Sequence, residues 1–258
     1  MLAPIAALYA SIPDSGDKRG KDELLLKTYL WHAFFTSRYE NAAATHAFAD
    51  FNGLNRVVNE VEKENGNAYS IDDIPIFSDY DLATKEELLV AGWPKKRSVL
   101  ARAVFAVLCR LGALDFSTGQ RLDPNNVDSR HYHHVYPDGL LKEAEIESYL
   151  ALNCAFIADK TNLSIGRKDP VEYLKDRYKW TSEAIVEERL QSHLIPIPEL
   201  ANGGYEGLSD EEKAAKLKTD FEAFITRRAD LVLAALQRLC DGHQLSIADV
   251  FEAVGSNA

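Results

Sequence analysis

The stretch that decides the fold is HYHHVYP, residues 131–137, which holds three of the seven histidines of the chain. Its alternating pattern, with aromatic and β-branched residues, is typical of a β-strand. On a strand, adjacent side chains point to opposite faces, so His133 and His134 cannot share one role. One imidazole can bind a divalent metal ion while the other acts as a base near neutral pH. Taken alone, the triplet is more typical of a surface strand with clustered imidazoles, or of a partly buried hydrogen-bonded pair.

A second strand is expected over residues 152–158, an apolar run that includes Asn153. A helical stretch containing Asn162 follows, and Pro170 suits the first turn of the next helix. Asn153 lies nineteen residues after His134, and Asn162 lies nine residues after Asn153. Each asparagine by itself is equally well explained as a turn residue or a helix cap. Their joint spacing after the histidines favours a functional site.

The segments HHVYP, LALNCAFIADKTN, IGRKDP and EYL together resemble the HNH nuclease motif, also called the His-Me finger or ββα-metal motif. The resemblance implies that His133 is a metal ligand and that His134 is the general base, with Pro137 shortly after them. It assigns Asn153 to the middle asparagine of the motif and Asn162 to the last metal ligand. The first ligand is usually acidic in this family. Here it is a histidine, which leaves the identity of the metal open.

The chemistry that the resemblance implies is the hydrolysis of a phosphodiester bond. His134 would remove a proton from the attacking water, and a hydrogen bond from Asn153 would orient its imidazole. A single divalent ion bound by His133 and Asn162 would stabilise the leaving oxygen. Nitrogen and oxygen ligands with open positions fit Mg²⁺ or Mn²⁺, while the imidazole ligand also allows Zn²⁺ or Ni²⁺.

Basic residues beside this segment are candidates for contacts with substrate phosphates. Lys160, Arg167 and Lys168 flank or follow the expected finger helix and can approach a DNA backbone from one edge. Lys175 and Lys179 are close in sequence, but a solvated helix face explains them better.

A wider resemblance covers residues 24–240 and points to the C-terminal nuclease half of GmrSD-like modification-dependent restriction endonucleases. It rests on the finger and on the segments WHAFFTSRYE, DFSTGQRLD, SHLIP and FEAFITRRADLV. Such proteins also carry an N-terminal nucleotide-binding domain with a DGQQR signature. This chain contains neither that signature nor a Walker loop. The resemblance therefore implies a separate nucleotide-binding or recognition domain, or a separate subunit, as a partner.

Outside this segment, apolar residues recur at helical spacing. We expect helices over about 2–11, 21–38, 43–64, 95–112 and 181–193, with a polar loop at 14–23 and a stiff extended connector at IPIPEL, 195–200. The pairs Thr84 with Glu87 and Ser209 with Glu212 have the spacing of capping boxes and should begin two further helices.

The predicted fold class is therefore mainly α, a helical bundle with an embedded ββα-metal finger. The expected organisation is an N-terminal helical region over 1–114, the finger over 115–180, and a C-terminal helical region over 181–258.

Composition limits where and how such a protein can act. A net charge of −11 argues against a protein that binds nucleic acid over its whole surface, although a local basic groove remains compatible with it. No apolar run approaches the roughly 20 residues that span a bilayer, and the N-terminus lacks the features of a signal peptide. Cys109, Cys154 and Cys240 are expected to be buried thiols of a reducing compartment. We therefore expect a cytoplasmic protein that does not bind membranes.

Two functions remain open on the sequence. The first is a metal-dependent HNH endonuclease that hydrolyses DNA phosphodiester bonds in restriction or anti-phage defence. The second is a non-catalytic helical binding or regulatory module that retains a degenerate finger. The acidic net charge and the missing nucleotide-binding domain motivate the second.

Overall fold

The computed structural model describes residues 2–94, 98–123, 125–126, 130–158, 161, 163, 165–166 and 168–255. Within them the chain is mainly helical and contains a two-stranded antiparallel sheet, as the sequence predicts at this level. It divides into two compact units, one made of residues 1–84 and 236–244 and the other of residues 85–235 and 245–258. The boundaries expected after residues 114 and 180 both fall inside the second unit.

The first unit is built from helices that enclose a small apolar core. Its helices within the first 84 residues are α1 (Leu2–Tyr9), α2 (Gly16–Phe35), α3 (Ala43–Val58) and α4 (Pro75–Ser78). Tyr29, Ala33 and Leu54 are fully buried in the core. Beside them, Arg38 and Asp50 form a buried ion pair with a shortest N–O distance of 2.6 Å.

Helix α2 begins earlier than the predicted polar loop at 14–23 allows. The charged residues of this stretch pair along the helix, with Lys18 3.5 Å from Asp22 and Arg19 2.9 Å from Glu23. Such i,i+4 pairs stabilise a helix. The polar composition therefore belongs to the first turns of a helix, and the loop prediction is wrong for residues 16–23.

The second unit holds the sheet and the remaining helices. The helices are α5 (Lys85–Val90), α6 (Val99–Leu111), α7 (Asp138–Glu143), α8 (Pro170–Trp180), α9 (Glu183–Gln191), α10 (Ile197–Leu200), α11 (Asp210–Cys240) and α12 (Ile247–Gly255). Residues of α11 from Leu236 onward belong to the first unit. Thr161, Leu163 and Ile165 also have helical backbone.

Both helices expected from capping boxes are present: α5 begins at Lys85, directly after Thr84, and α11 begins at Asp210, directly after Ser209. The Ser209 hydroxyl donates to the Glu212 carboxylate at 2.7 Å, and the Glu212 carboxylate accepts from the Ser209 backbone N–H at 3.0 Å. This confirms the second capping box at the start of α11.

The connector 195–200 is not fully extended as predicted. Pro198 lies in the first turn of α10, where a residue without a backbone N–H is tolerated.

The sheet consists of β1 (Arg130–His134) and β2 (Cys154–Ala158), which pair antiparallel. A 3-10 turn at Ala151–Asn153 leads into β2. Strand β1 ends at His134, before the end of the strand-like stretch 131–137, for a local reason. The Tyr136 backbone N–H donates to the Asn153 side chain at 2.8 Å, and Pro137 has no N–H to continue the ladder.

The core of the second unit packs beneath the sheet and its helices. It includes Val135, Tyr136, Ile157, Tyr173 and Phe224, all almost completely buried. Among the described residues, no helix is both long enough and apolar enough to cross a bilayer.

Candidate active site

The two central histidines of β1 lie on opposite faces of the sheet. His133 pairs in register with Ala155 and is buried, with 5% of its surface exposed. His134 pairs with Cys154 and is half-buried. Because adjacent residues of a strand face opposite ways, the two imidazoles meet different surroundings. Any shared chemistry needs a substrate or ion that reaches the end of the strand, where the pair is located.

His134 is held in an aromatic pocket. Its ring stacks on the indole of Trp93, with centroids 4.3 Å apart and planes 24° apart, and meets the edge of Tyr149 at 4.8 Å. Burial lowers the pKa of His134 below 6.5, while the Asp138 carboxylate acts in the opposite direction. Nε2 of His134 is buried and has no hydrogen-bond partner among the described residues. The imidazole is therefore neutral at pH 7, the form that accepts a proton.

Asn153 is fully buried and fixes the backbone that follows His134. Its Oδ1 accepts from the Tyr136 N–H at 2.8 Å, and its Nδ2 donates to the carbonyls of Tyr136 and Ser148, each at 3.0 Å. Within the described part of the chain, no hydrogen bond joins this amide to the His134 imidazole. The sequence led us to expect such a bond. Asn153 instead positions His134 through the main chain, by tying the exit of β1 to the entry of β2.

A buried arginine supports the same place from helix α11. The guanidinium of Arg228 is fully buried and donates to the carbonyls of Leu152 at 2.6 Å, Cys154 at 3.0 Å and His193 at 2.9 Å. Burial lowers its pKa to about 10, so it stays protonated at neutral pH. Arg228 therefore clamps the carbonyls on both sides of Asn153.

Sequence reasoning missed Arg228. The stretch FEAFITRRADLV contains two adjacent arginines, and the second, Arg228, lies at helical spacing from the buried residues Phe221, Phe224 and Leu231. That periodicity was the available signal that Arg228 faces the core.

Asp115 joins the segment before β1 to both strands. Its carboxylate accepts from Arg130 at 3.1 Å, from the Ala158 N–H at 2.8 Å and from the Thr161 hydroxyl at 2.8 Å. It also accepts from the backbone of its own turn, at Thr118. Burial alone would raise the pKa of Asp115, but these hydrogen bonds outweigh it and hold the pKa below the usual value. In the sequence, an aspartate followed three residues later by a threonine is typical of a turn, and this spacing was the available signal for the role of Asp115.

The predicted metal and phosphate contacts are only partly described by the structure. Asn162, Lys160 and Arg167 lie outside the described residues. Lys168 is exposed, and its ammonium forms an ion pair with Asp176 at 2.7 Å. Within the described residues, no three His, Cys, Asp or Glu side chains converge in a way that could hold a metal ion.

Lys168 lines an open cavity of about 540 Å³ whose charges are mixed. Lys179 also approaches Asp176, at 3.2 Å, and Lys213 approaches Glu143 at 2.6 Å. Since these lysines already face carboxylates, the cavity does not offer a strong positive potential to an anion.

Comparison with known proteins adds one distant relative. An uncharacterized protein of Methanocaldococcus jannaschii is 24% identical over 225 residues, which cover 82% of this chain and 36% of that protein. The chain thus spans about a third of the length of the relative it matches. No protein-family model matches the chain, and no solved structure matches it either.

Proposed function

We propose that this chain is a metal-dependent DNA endonuclease of the HNH type, with the finger formed by β1, β2 and the helical residues after β2. One observation carries the proposal. His134 sits half-buried at the end of β1, immediately before a turn that the buried Asn153 amide locks to the start of β2. This arrangement supports the assignment of His134 as the general base, with Asn153 holding the backbone beside it and not, as the resemblance implied, its ring.

In the proposed reaction, His134 takes a proton from a water molecule as that water attacks the phosphorus atom. The neutral imidazole suits this step, because burial lowers its pKa below 6.5. Asn153 does not take part in the proton transfer; it holds the backbone that carries the imidazole. Stacking against Trp93 keeps bulk water away from one face of the ring.

The donor set available for a divalent cation consists of the His133 imidazole and the Asn162 amide. One nitrogen and one oxygen ligand leave positions open for water and phosphate, which fits Mg²⁺ or Mn²⁺ and also allows Zn²⁺ or Ni²⁺. When bound, such a cation would supply positive charge to the scissile phosphate and the leaving oxygen.

Contacts with DNA must be local in a protein of net charge −11. We assign Lys160, Arg167 and Lys168 to the phosphates next to the cut. Lys168 would exchange its carboxylate partner Asp176 for a phosphate oxygen, because an exposed ion pair of this kind contributes little stability.

The biological setting follows the resemblance to GmrSD-like restriction endonucleases. We propose that the chain acts in the cytoplasm against foreign DNA, together with a nucleotide-binding or recognition domain or subunit. The relative from Methanocaldococcus jannaschii is much longer than the matched region, which is compatible with further domains there.

The test is cleavage of supercoiled plasmid DNA with Mg²⁺ or Mn²⁺, comparing the wild type with His134→Ala. Loss of a general base costs about 10²–10⁴-fold in rate, so His134→Ala should be at least 100-fold slower. His131→Ala is the matched control, because His131 is exposed on the same strand and has no assigned role. Circular dichroism should show that all three proteins fold alike. Full activity in His134→Ala would exclude this residue as the base.

The second candidate is a non-catalytic binding or regulatory module that retains a degenerate finger. It is favoured by the acidic net charge and by the engagement of Lys168 with Asp176. A folded wild-type protein that leaves the plasmid intact in Mg²⁺ and in Mn²⁺ would support this candidate over the nuclease.

A further inference from the structure

The ring of Trp93 is fixed against His134 by both its side chain and its backbone. The indole is only 6% exposed and stacks nearly parallel to the imidazole. Its chain segment pairs with the approach to β2, through the bridge between Gly92 and Leu150 and a 2.8 Å hydrogen bond from the Ala151 N–H to the Ala91 carbonyl. The tryptophan is thus anchored to the same turn that ends at Asn153.

An imidazole acting as a base needs a fixed ring plane, and a hydrogen bond to its second nitrogen usually provides it. Among the described residues, His134 makes no such bond. The contacts that define its plane are the stack on Trp93 and the edge of Tyr149. Tyr149 is 43% exposed, so the buried indole is the more rigid of the two surfaces.

We propose that Trp93 is a positioning residue for His134, an inference that rests on the proposed nuclease function. Its indole sets the plane of the imidazole, for which the described residues provide no hydrogen bond. A small rotation of the imidazole would misdirect the lone pair that receives the proton, and misplacement by about 1 Å can cost about 100-fold in rate. Trp93 acts on the rate of the chemical step and leaves substrate binding unchanged.

A purely structural role for Trp93 is the competing explanation, because the ring also belongs to an aromatic cluster. Trp93 meets the edge of Tyr132 at 6.2 Å, and Tyr132 packs on Phe105 at 5.1 Å. Phe105 is equally buried, with 7% exposed, and contacts Tyr132 and Phe156 in this cluster. Phe105→Leu is therefore a matched control that disturbs the cluster one residue further from His134.

The experiment compares Trp93→Phe, Trp93→Leu and Phe105→Leu with the wild type by two measurements. The first is the NMR chemical shift of the His134 ring protons in the protein without DNA, assigned by their absence in His134→Gln. A proton over the face of an aromatic ring is shifted upfield by the ring current, so Trp93→Leu should lose this shift and Phe105→Leu should keep it. The second is the split between kcat and KM for plasmid cleavage.

We expect Trp93→Leu to lower kcat by about 10- to 100-fold with KM within about twofold, and Trp93→Phe to recover most of the rate. Equal losses of kcat in Trp93→Leu and Phe105→Leu, or an unchanged His134 shift in Trp93→Leu, would overturn the inference. Trp93→Phe keeps the test valid if the leucine variant does not fold. The NMR measurement does not depend on nuclease activity. It therefore tests the stack on Trp93 even if the protein does not cleave DNA.

Discussion

Acid should destabilise the second unit through His193, a histidine buried where it cannot be protonated. His193 is fully buried, its Nε2 lies 2.9 Å from the Leu114 carbonyl, and its own carbonyl accepts from Arg228. Burial lowers its pKa from 6.5 to about 3. The folded state therefore keeps the imidazole neutral at pH values where the unfolded chain binds a proton.

The sign and size of the effect follow from this difference in proton binding. Because the folded pKa is depressed, the stabilising contribution is fully present above pH 6.5 and is lost as the pH falls toward 3. Between pH 7 and pH 5 the unfolded state gains about 0.7 of a proton at His193 and the folded state gains almost none. The free energy of unfolding should fall by about 2 kcal/mol from this residue alone.

The assay is urea unfolding followed by circular dichroism at pH 7 and pH 5, for the wild type and for His193→Gln. The glutamine amide can still donate to the Leu114 carbonyl but does not titrate. Other histidines whose pKa is lowered by partial burial, such as His134 and His32, are common to both proteins, so their contributions cancel in the comparison. Coincident transitions by tryptophan fluorescence would establish that a single free energy is meaningful. If both proteins lose the same free energy on acidification, His193 is not the buried neutral group described above.

Substitutions at two further positions test the framework of the site. Asn153→Ala removes three buried hydrogen bonds and leaves the Tyr136 N–H unpaired, so it should cost about 3 kcal/mol in urea unfolding and abolish cleavage; a loss below about 1 kcal/mol would contradict the contacts described. Arg228→Met leaves three buried carbonyls without their donor and should cost about 3–5 kcal/mol. Arg228→Lys keeps the charge but reaches fewer carbonyls, so its melting temperature should lie between those of the wild type and Arg228→Met. An Arg228→Met variant as stable as the wild type would refute the role of Arg228 in holding these carbonyls.

Local patterns in the sequence predicted much of the fold. Helical spacing predicted α3 and α6, and the alternation of HYHHVYP predicted β1. The capping box at Ser209 predicted the first residues of α11. These features depend on neighbours within one or two turns, which is why a single sequence reveals them.

Tertiary contacts account for the parts that the sequence did not predict. Arg228 reaches carbonyls 74 and 76 residues away in the chain, and nothing in its local pattern indicates those partners. Nothing in the local pattern around Trp93 indicates its stack on His134, because that stack depends on the bridge between Gly92 and Leu150. Asn153 was expected to contact the imidazole, whereas it binds the backbone beside it.

The exposure of Cys109 is another feature that the local sequence did not predict. Apolar neighbours predicted a buried thiol, yet the side chain lies on the exposed face of α6, while Cys154 and Cys240 are buried as expected. The next residue, Arg110, is exposed as well, so this part of α6 faces solvent although Val107 and Leu108 just before it are buried.

A divalent cation at His133, one residue from the proposed base, is what distinguishes a nuclease from a helical scaffold in this chain. Titration calorimetry with Mn²⁺ measures this directly, without DNA or turnover. We predict one site per chain in the wild type, retained in His131→Ala and lost in His133→Ala. A wild type that binds no Mn²⁺, or a His133→Ala variant that binds it as well as the wild type, would contradict the metal-dependent mechanism.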